Sequence, residues 1–280
     1  MELPFKICKI LDYGTSNPIV NRMSFQFIDI LSRNALDLPA LRIENVKKYL
    51  FECMKDLIKA QEIKDAYLRE EKKAIEKIMS IDGIKFQTNA YSYDDPSEIL
   101  KKHFEDFLIR CVIAIRKIVK IAENILLKSV KGPKELRKHL MKIFPKDSPE
   151  IKMIDEDSIW IKELYDMRGQ VEHDELLIGK FDVNISADNK VLIKLPIILN
   201  NQIIIRSYIE NIFDNCFTFC EDMTVILMNT KCKKEFQIVV IPESQRSTHR
   251  HFKYTLDLEG EYKEKLIEAI RKSETSPPSD

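Results

Sequence analysis

Between residues 42 and 79 the chain contains no glycine and no proline, and its apolar residues return every three or four positions: Val46, Leu50, Cys53/Met54, Leu57/Ile58, Leu68, Ile75 and Ile78/Met79. That spacing places them on one face only if the segment is helical. Glu, Lys and Ala fill many of the positions between, which favours the helix further. Unbroken, it would exceed ~50 Å at ~1.5 Å per residue. A helix of that length leans on a partner, or is two helices joined at a point the sequence hides. Glycine is scarce throughout, 6 in 280 residues. This argues against sandwiches, barrels and nucleotide-binding α/β folds, which need tight glycine turns.

The remaining chain reads as more helix, interrupted by short strand-like runs. A helix is expected over 18–34, opening on Pro18. Asp82-Gly83 starts a linker, Ile84 to Asp95. Pro96-Ser97-Glu98 then opens an amphipathic helix to about 129, striped by Phe104, Phe107/Leu108, Cys111/Val112, Ile115, Ile118/Val119, Ala122 and Ile125/Leu126. Gly132-Pro133 breaks it, a shorter helix covers 134–144, and Pro145 and Pro149 bound a loop. Asp155-Glu156-Asp157-Ser158 supplies capping chemistry for a helix over 158–177. Phe181–Ile185 and Val191–Leu195 alternate around Asp188-Asn189, as in a β-hairpin. Helical spacing returns over 203–229. Strand-like runs at 235–241 and 251–258 precede a short helix at 260–272, and the β segments could form one small sheet. The tail from Ser273 is too polar and proline-rich to order itself. The expected class is mainly α: a helical bundle with an inserted β-hairpin and a small C-terminal β element.

Lys and Arg total 45, as do Asp and Glu, so no global field draws the protein to nucleic acid or membrane. The most apolar stretch, 107–127, still carries Arg110, Arg116, Lys117, Lys120 and Glu123. No membrane span is therefore expected, and the N-terminus lacks the pattern of a secretory leader. The expected compartment is the cytoplasm. Six cysteines lack CxxC spacing and fall mostly among apolar residues, which suits small reduced core side chains. His249-Arg250-His251 could put two imidazoles on one side of a strand, but flanking arginines oppose a cation. His103 and His139, beside lysines, are expected at the surface. No cofactor and no metal are expected.

The run from Trp160 to Glu175 carries the chemistry. Arg168 and His173 are five positions apart near a helix end, pairing a permanent cation with a group that titrates near neutrality. Such a pair can grip a phosphate and move a proton. Glu163-Leu-Tyr-Asp-Met-Arg168-Gly-Gln-Val-Glu-His173 resembles the signature of the HEPN domains, in which an arginine and a histidine four to six residues apart mark the active site. The resemblance extends over about 97–230. It implies a metal-independent endoribonuclease, dimeric, with a motif from each copy at a shared cleft. His173 would then move protons, and Arg168 would hold the scissile phosphate. It also implies a toxin or antiphage defence setting, with an antitoxin or other protein partner. Two departures stand out: Gly169 follows the arginine where many members have a polar residue, and Glu175 stands where adenylylation targets carry tyrosine.

The same residues have a plain structural reading. Trp160, Leu164, Met167 and Val171 form a core stripe, Arg168 pairs with Glu172 at i+4, and His173 meets the helix dipole. A basic run precedes the motif: Lys128, Lys131, Lys134, Arg137, Lys138, Lys142 and Lys146 against the single acid Glu135. Lys131, Lys134, Arg137, Lys138 and Lys142 are the candidates to hold RNA phosphates; the alternative is a solvated helix face. The expected organisation is a helical region over 1–95, the HEPN-like bundle over 96–230 with its hairpin at 180–198, a β/α element over 231–272 and a disordered tail over 273–280. The competing reading is a non-catalytic helical scaffold that binds a protein or RNA.

Overall fold

Uninterrupted helix formers do what their spacing predicts: residues Ala40–Ile78 form one continuous helix. This answers the open question of one helix or two, and at ~1.5 Å per residue it is roughly 58 Å long. The computed structural model describes residues 13–14, 16–80, 83–87, 90–186, 188, 190–246 and 251–274. In chain order the helices are α1 (Pro18–Val20), α2 (Gln26–Ser32), α3 (Ala40–Ile78), α4 (Ser97–Leu126), α5 (Pro133–Leu140), α6 (Pro149–Glu172), α7 (Ile205–Asn229) and α8 (Gly260–Glu274). The strands are β1 (Lys85–Gln87), β2 (Ala90–Ser92), β3 (Asp182–Ile185), β4 (Val191–Lys194), β5 (Ile197–Ile198), β6 (Ile203–Ile204), β7 (Phe236–Val240) and β8 (Tyr254–Leu258). The chain is mainly α, with small antiparallel hairpins.

Several boundaries differ from the sequence reading. A π turn, Asn21–Phe25, lies between α1 and α2. The segment expected as a linker contains the hairpin β1–β2. Tyr91 Oη donates to the Val183 carbonyl at 2.6 Å and Tyr93 Oη to that of Phe181 at 3.0 Å. The pairing is thus anchored by tertiary contacts that no local pattern announces. Helix α6 starts nine residues earlier than Ser158: Ser148 is its cap, accepting from the Ile151 N–H, and Pro149 opens its first turn. Ser148-Pro149-Glu150 satisfies the cap rules as well as the acidic run does, and it comes first. The hairpins stay separate instead of merging into one sheet. Ser273 and Glu274, assigned to the tail, belong to α8, while 275–280 lie outside the described residues.

The described residues fold as two compact units, one drawn from 55–119 and 130–220, the other from 13–54, 120–129 and 221–274. The first is built around α4. Leu100, Phe104, Phe107, Leu108, Cys111, Val112, Ile115 and Ile118 are all completely buried, each large apolar side chain contributing ~1.5–3 kcal/mol. Phe104 meets Tyr208 of α7 edge-on, and Trp160 of α6 meets Phe219 in the same way. On α3, Glu71 is fully buried and pairs with Arg206 of α7 at 3.2 Å; burial raises its pKa against the opposing pull of that guanidinium. Of the described cysteines, Cys53, Cys111, Cys216 and Cys220 are buried, and none forms a disulfide. Burial drives the Cys111 thiol well above its ordinary pKa.

The second unit buries polar groups as well. Asn21, Ser24, Gln26, Asn124, Glu221 and Thr224 all lie in its interior. Gln26 Oε1 accepts from the backbone N–H groups of both Lys253 and Tyr254, at 2.7 and 2.8 Å. Its amide nitrogen donates to Glu221, which Arg22 also grips. Asp222 accepts from Lys253 Nζ at 2.7 Å and from Tyr254 Oη at 2.8 Å. One side chain thus fastens β8 to α2. Replacing Gln26 by Ala strands two backbone donors and should lower stability by roughly 2–4 kcal/mol. A denaturant titration of wild type and Gln26→Ala will measure it.

Candidate functional site

Helix α6 holds the arginine and the histidine and sets where each can reach. Its C-terminus closes in a Schellman arrangement. His173 is the cap residue, Asp174 sits at φ 55°, the Glu175 N–H donates to the Gln170 carbonyl at 2.8 Å and the Asp174 N–H to that of Val171 at 3.3 Å. His173 is exposed there. Arg168 is 24% exposed and its guanidinium pairs with Glu172, one turn on. The helix is unbroken through Glu172, so at 100° per residue the two positions leave the axis about 140° apart. No hydrogen bond or ion pair joins Arg168 to His173. Within one chain, then, both candidates are open to solvent but do not converge, and Arg168 takes the partner that the structural reading gave it.

Gly169 answers no packing need, because a Cβ built there meets nothing within 4 Å. Of the core stripe expected around it, Leu164 and Met167 are buried, while Trp160 and Val171 are half-buried.

The basic run is partly available. Lys131, Lys134, Lys138 and Lys142 are exposed, and Lys134 and Lys138 share a face of α5 at i, i+4. Arg137 is different. Its Nε and Nη2 grip both oxygens of Asp155 on α6, and the guanidinium holds that carboxyl below its usual range. Arg137 therefore joins α5 to α6 and is not a free phosphate ligand. The sequence placed Asp155 in a helix cap and so hid the pairing. His139 also departs from expectation: it is half-buried, with both ring nitrogens shielded and without a partner. His103 is half-buried too. Of the possible imidazole pair, His249 lies outside the described residues together with Arg250. Among the described residues no group of three or more His, Cys, Asp or Glu could hold a metal ion. None of their helices is long and apolar enough to cross a membrane.

A groove of about 570 Å³ runs along another face of α6, closed on one side by the turn between β5 and β6. The buried Met167 and Ile198 and the exposed Ile159 are its apolar lining, and Glu163 and Asp166 add carboxylates. Neither Arg168 nor His173 lines it. Sequence reasoning passed over this feature, although Ile159, Glu163, Asp166 and Gln170 follow helical spacing. The missing half, Ile198 to Asn201, lies some thirty residues away and reaches α6 only through the tertiary fold.

Restoring a helix former at an unobstructed position removes the flexibility of glycine, so Gly169→Ala should raise stability by about 1 kcal/mol. Its melting midpoint, compared with that of wild type, will check this. No family model, curated protein or solved structure matches the chain.

Proposed function

We propose that the chain is a metal-independent, HEPN-like endoribonuclease that works as a homodimer, with Arg168 and His173 as its catalytic pair. The observation that carries the reading is the placement of both side chains at the open end of α6, His173 exposed on the cap and Arg168 one turn before it. Their divergence within a chain favours a division of labour between copies, the arginine of one facing the histidine of the other across a cleft. His173 removes the ribose 2′-hydroxyl proton, and the 2′-oxygen attacks the adjacent phosphorus. The 5′-oxygen leaves with a proton returned by an imidazolium, and a 2′,3′-cyclic phosphate remains. Arg168 neutralises charge growing on the phosphoryl oxygens and must exchange Glu172 for them. Lys131, Lys134, Lys138 and Lys142 attract the RNA strand. The resemblance suggests a cytoplasmic toxin or defence component held in check by a protein partner.

A second reading, a non-catalytic scaffold for a protein partner, is favoured by a different observation. Ile159, Leu177, Leu199, Ile203 and Ile204 are all exposed, and the Leu199 N–H donates to the Leu177 carbonyl at 3.1 Å, which sets those two side by side. An exposed apolar pair such as Leu177 and Leu199 suits an interface.

Single-stranded RNA incubated in EDTA distinguishes the readings. Wild type should cut it and leave cyclic phosphate ends. His173→Ala should lose roughly 10²–10⁴-fold in rate with its melting temperature unchanged, whereas equal cleavage by both proteins would remove the catalytic claim. Glu172→Gln, which frees the guanidinium, should tighten RNA binding. Reversing charge at Lys134 and Lys138 should weaken binding and flatten its salt dependence by about two phosphate contacts; an unaltered slope would rule the lysines out.

A further inference from the structure

We infer that Glu71 is a pH-sensitive latch between α3 and α7, seated in the fold as a neutral carboxylic acid and loosening the contact when it ionises. Its side chain is wholly removed from water. Oε2 accepts from Arg206 Nη1 at 3.2 Å, but Oε1 is sealed from solvent and has no hydrogen-bond partner. The Tyr67 hydroxyl, one turn back on α3, is sealed in the same way and also lacks a partner. The two groups lie within electrostatic reach of each other. Arg206 is not committed to Glu71 alone. Its Nε stands 4.0 Å from Glu210, one turn on along α7, and its side chain is 43% exposed.

The cluster is better satisfied with a proton on Glu71 than without one. Ionised, the carboxylate keeps a charged oxygen away from water with only a neutral hydroxyl near it, and Glu71 and Glu210 crowd two negative charges about one guanidinium. Protonated on Oε1, the carboxyl becomes a donor from which Tyr67 Oη can accept, and Arg206 retains Glu210 and water. Titration needs no open pocket, since brief local opening admits a proton. Burial accordingly raises the Glu71 pKa; Arg206 and then Tyr67 oppose the rise, and Glu210 adds to it. A carboxyl that holds its proton more tightly folded than unfolded contributes stability in acid. That contribution is complete below the ordinary glutamate value of 4.5 and is lost as pH climbs through the raised one. The latch stands apart from the RNA-cutting reading, since it uses neither Arg168 nor His173.

The experiment follows urea unfolding of the full chain from about pH 4 to about pH 9 for wild type and Glu71→Gln, whose amide stands for the protonated acid. The unfolding constant of wild type relative to the variant should grow with pH, by up to about tenfold per unit across the window in which Glu71 ionises. Glu210→Gln removes a negative neighbour and should move that window to lower pH. Arg206→Gln removes the positive one and should move it to higher pH, each read against the double variant with Glu71→Gln. A merely structural role would leave the window in place. Carboxyl-carbon NMR of the intact chain reads the same titration directly, and it decides the matter if Glu71→Gln does not fold. A Glu71 resonance that titrates above the ordinary glutamate range supports the latch. Titration at or below that range, or parallel pH profiles for wild type and Glu71→Gln, overturns it.

Discussion

The apolar stripe of α4 is the constraint from which the rest of the structure follows. From Leu100 to Ile118 its inward side chains are wholly removed from water, and a helix buried to that degree must be covered by others. The covering residues answer it in kind: Tyr208 packs edge-on against Phe104, and Arg116 lies over the ring of Tyr165. Arg110 pairs with Asp56 of α3 at its margin. Polar side chains at the rim then orient what the apolar contacts hold together, because dispersion and water exclusion have little directional preference of their own.

Orientation in the other unit comes from buried polar groups. Glu221 is fully buried yet satisfied by Arg22 and Gln26, and the same glutamine closes the backbone of β8. Groups of this kind are costly when unpaired and specific when paired. They explain how the short antiparallel ribbon β7–β8, marginal if isolated, keeps a defined place. Asn124 plays a comparable part, accepting from Arg42 and Asn45 while donating to the Lys120 carbonyl.

Where periodic apolar residues ran for several turns, the sequence was legible. The long helix α3, the stripe of α4, the hairpin of β3 and β4, and α7 all follow from local spacing, since period 3.6 and period 2 are properties of the chain itself. Legibility failed where two local solutions were equally good or where a distant residue chose between them. Ser148-Pro149 and Asp155–Ser158 are both sound helix starts, and Asp155 proved to be the partner of Arg137. The hairpin β1–β2 looked like a linker because its anchors, the carbonyls of Phe181 and Val183, lie about ninety residues on.

The candidate site divides along the same line. Sequence alone determined that Arg168 and His173 stand five positions apart at a helix end, and covalent spacing with the helical step then sets the angle between them. It also determined the run of lysines, whose exposure follows from their hydration. Only the tertiary structure decided which cations are committed, tying Arg137 to Asp155 and Arg168 to Glu172. It alone brought Ile198 and Asn201 over Glu163 and Asp166 to make a groove. The physical reason is range. Periodicity acts over a few residues and survives in one dimension, whereas ion pairs and cavities depend on distances that the packed chain sets in three.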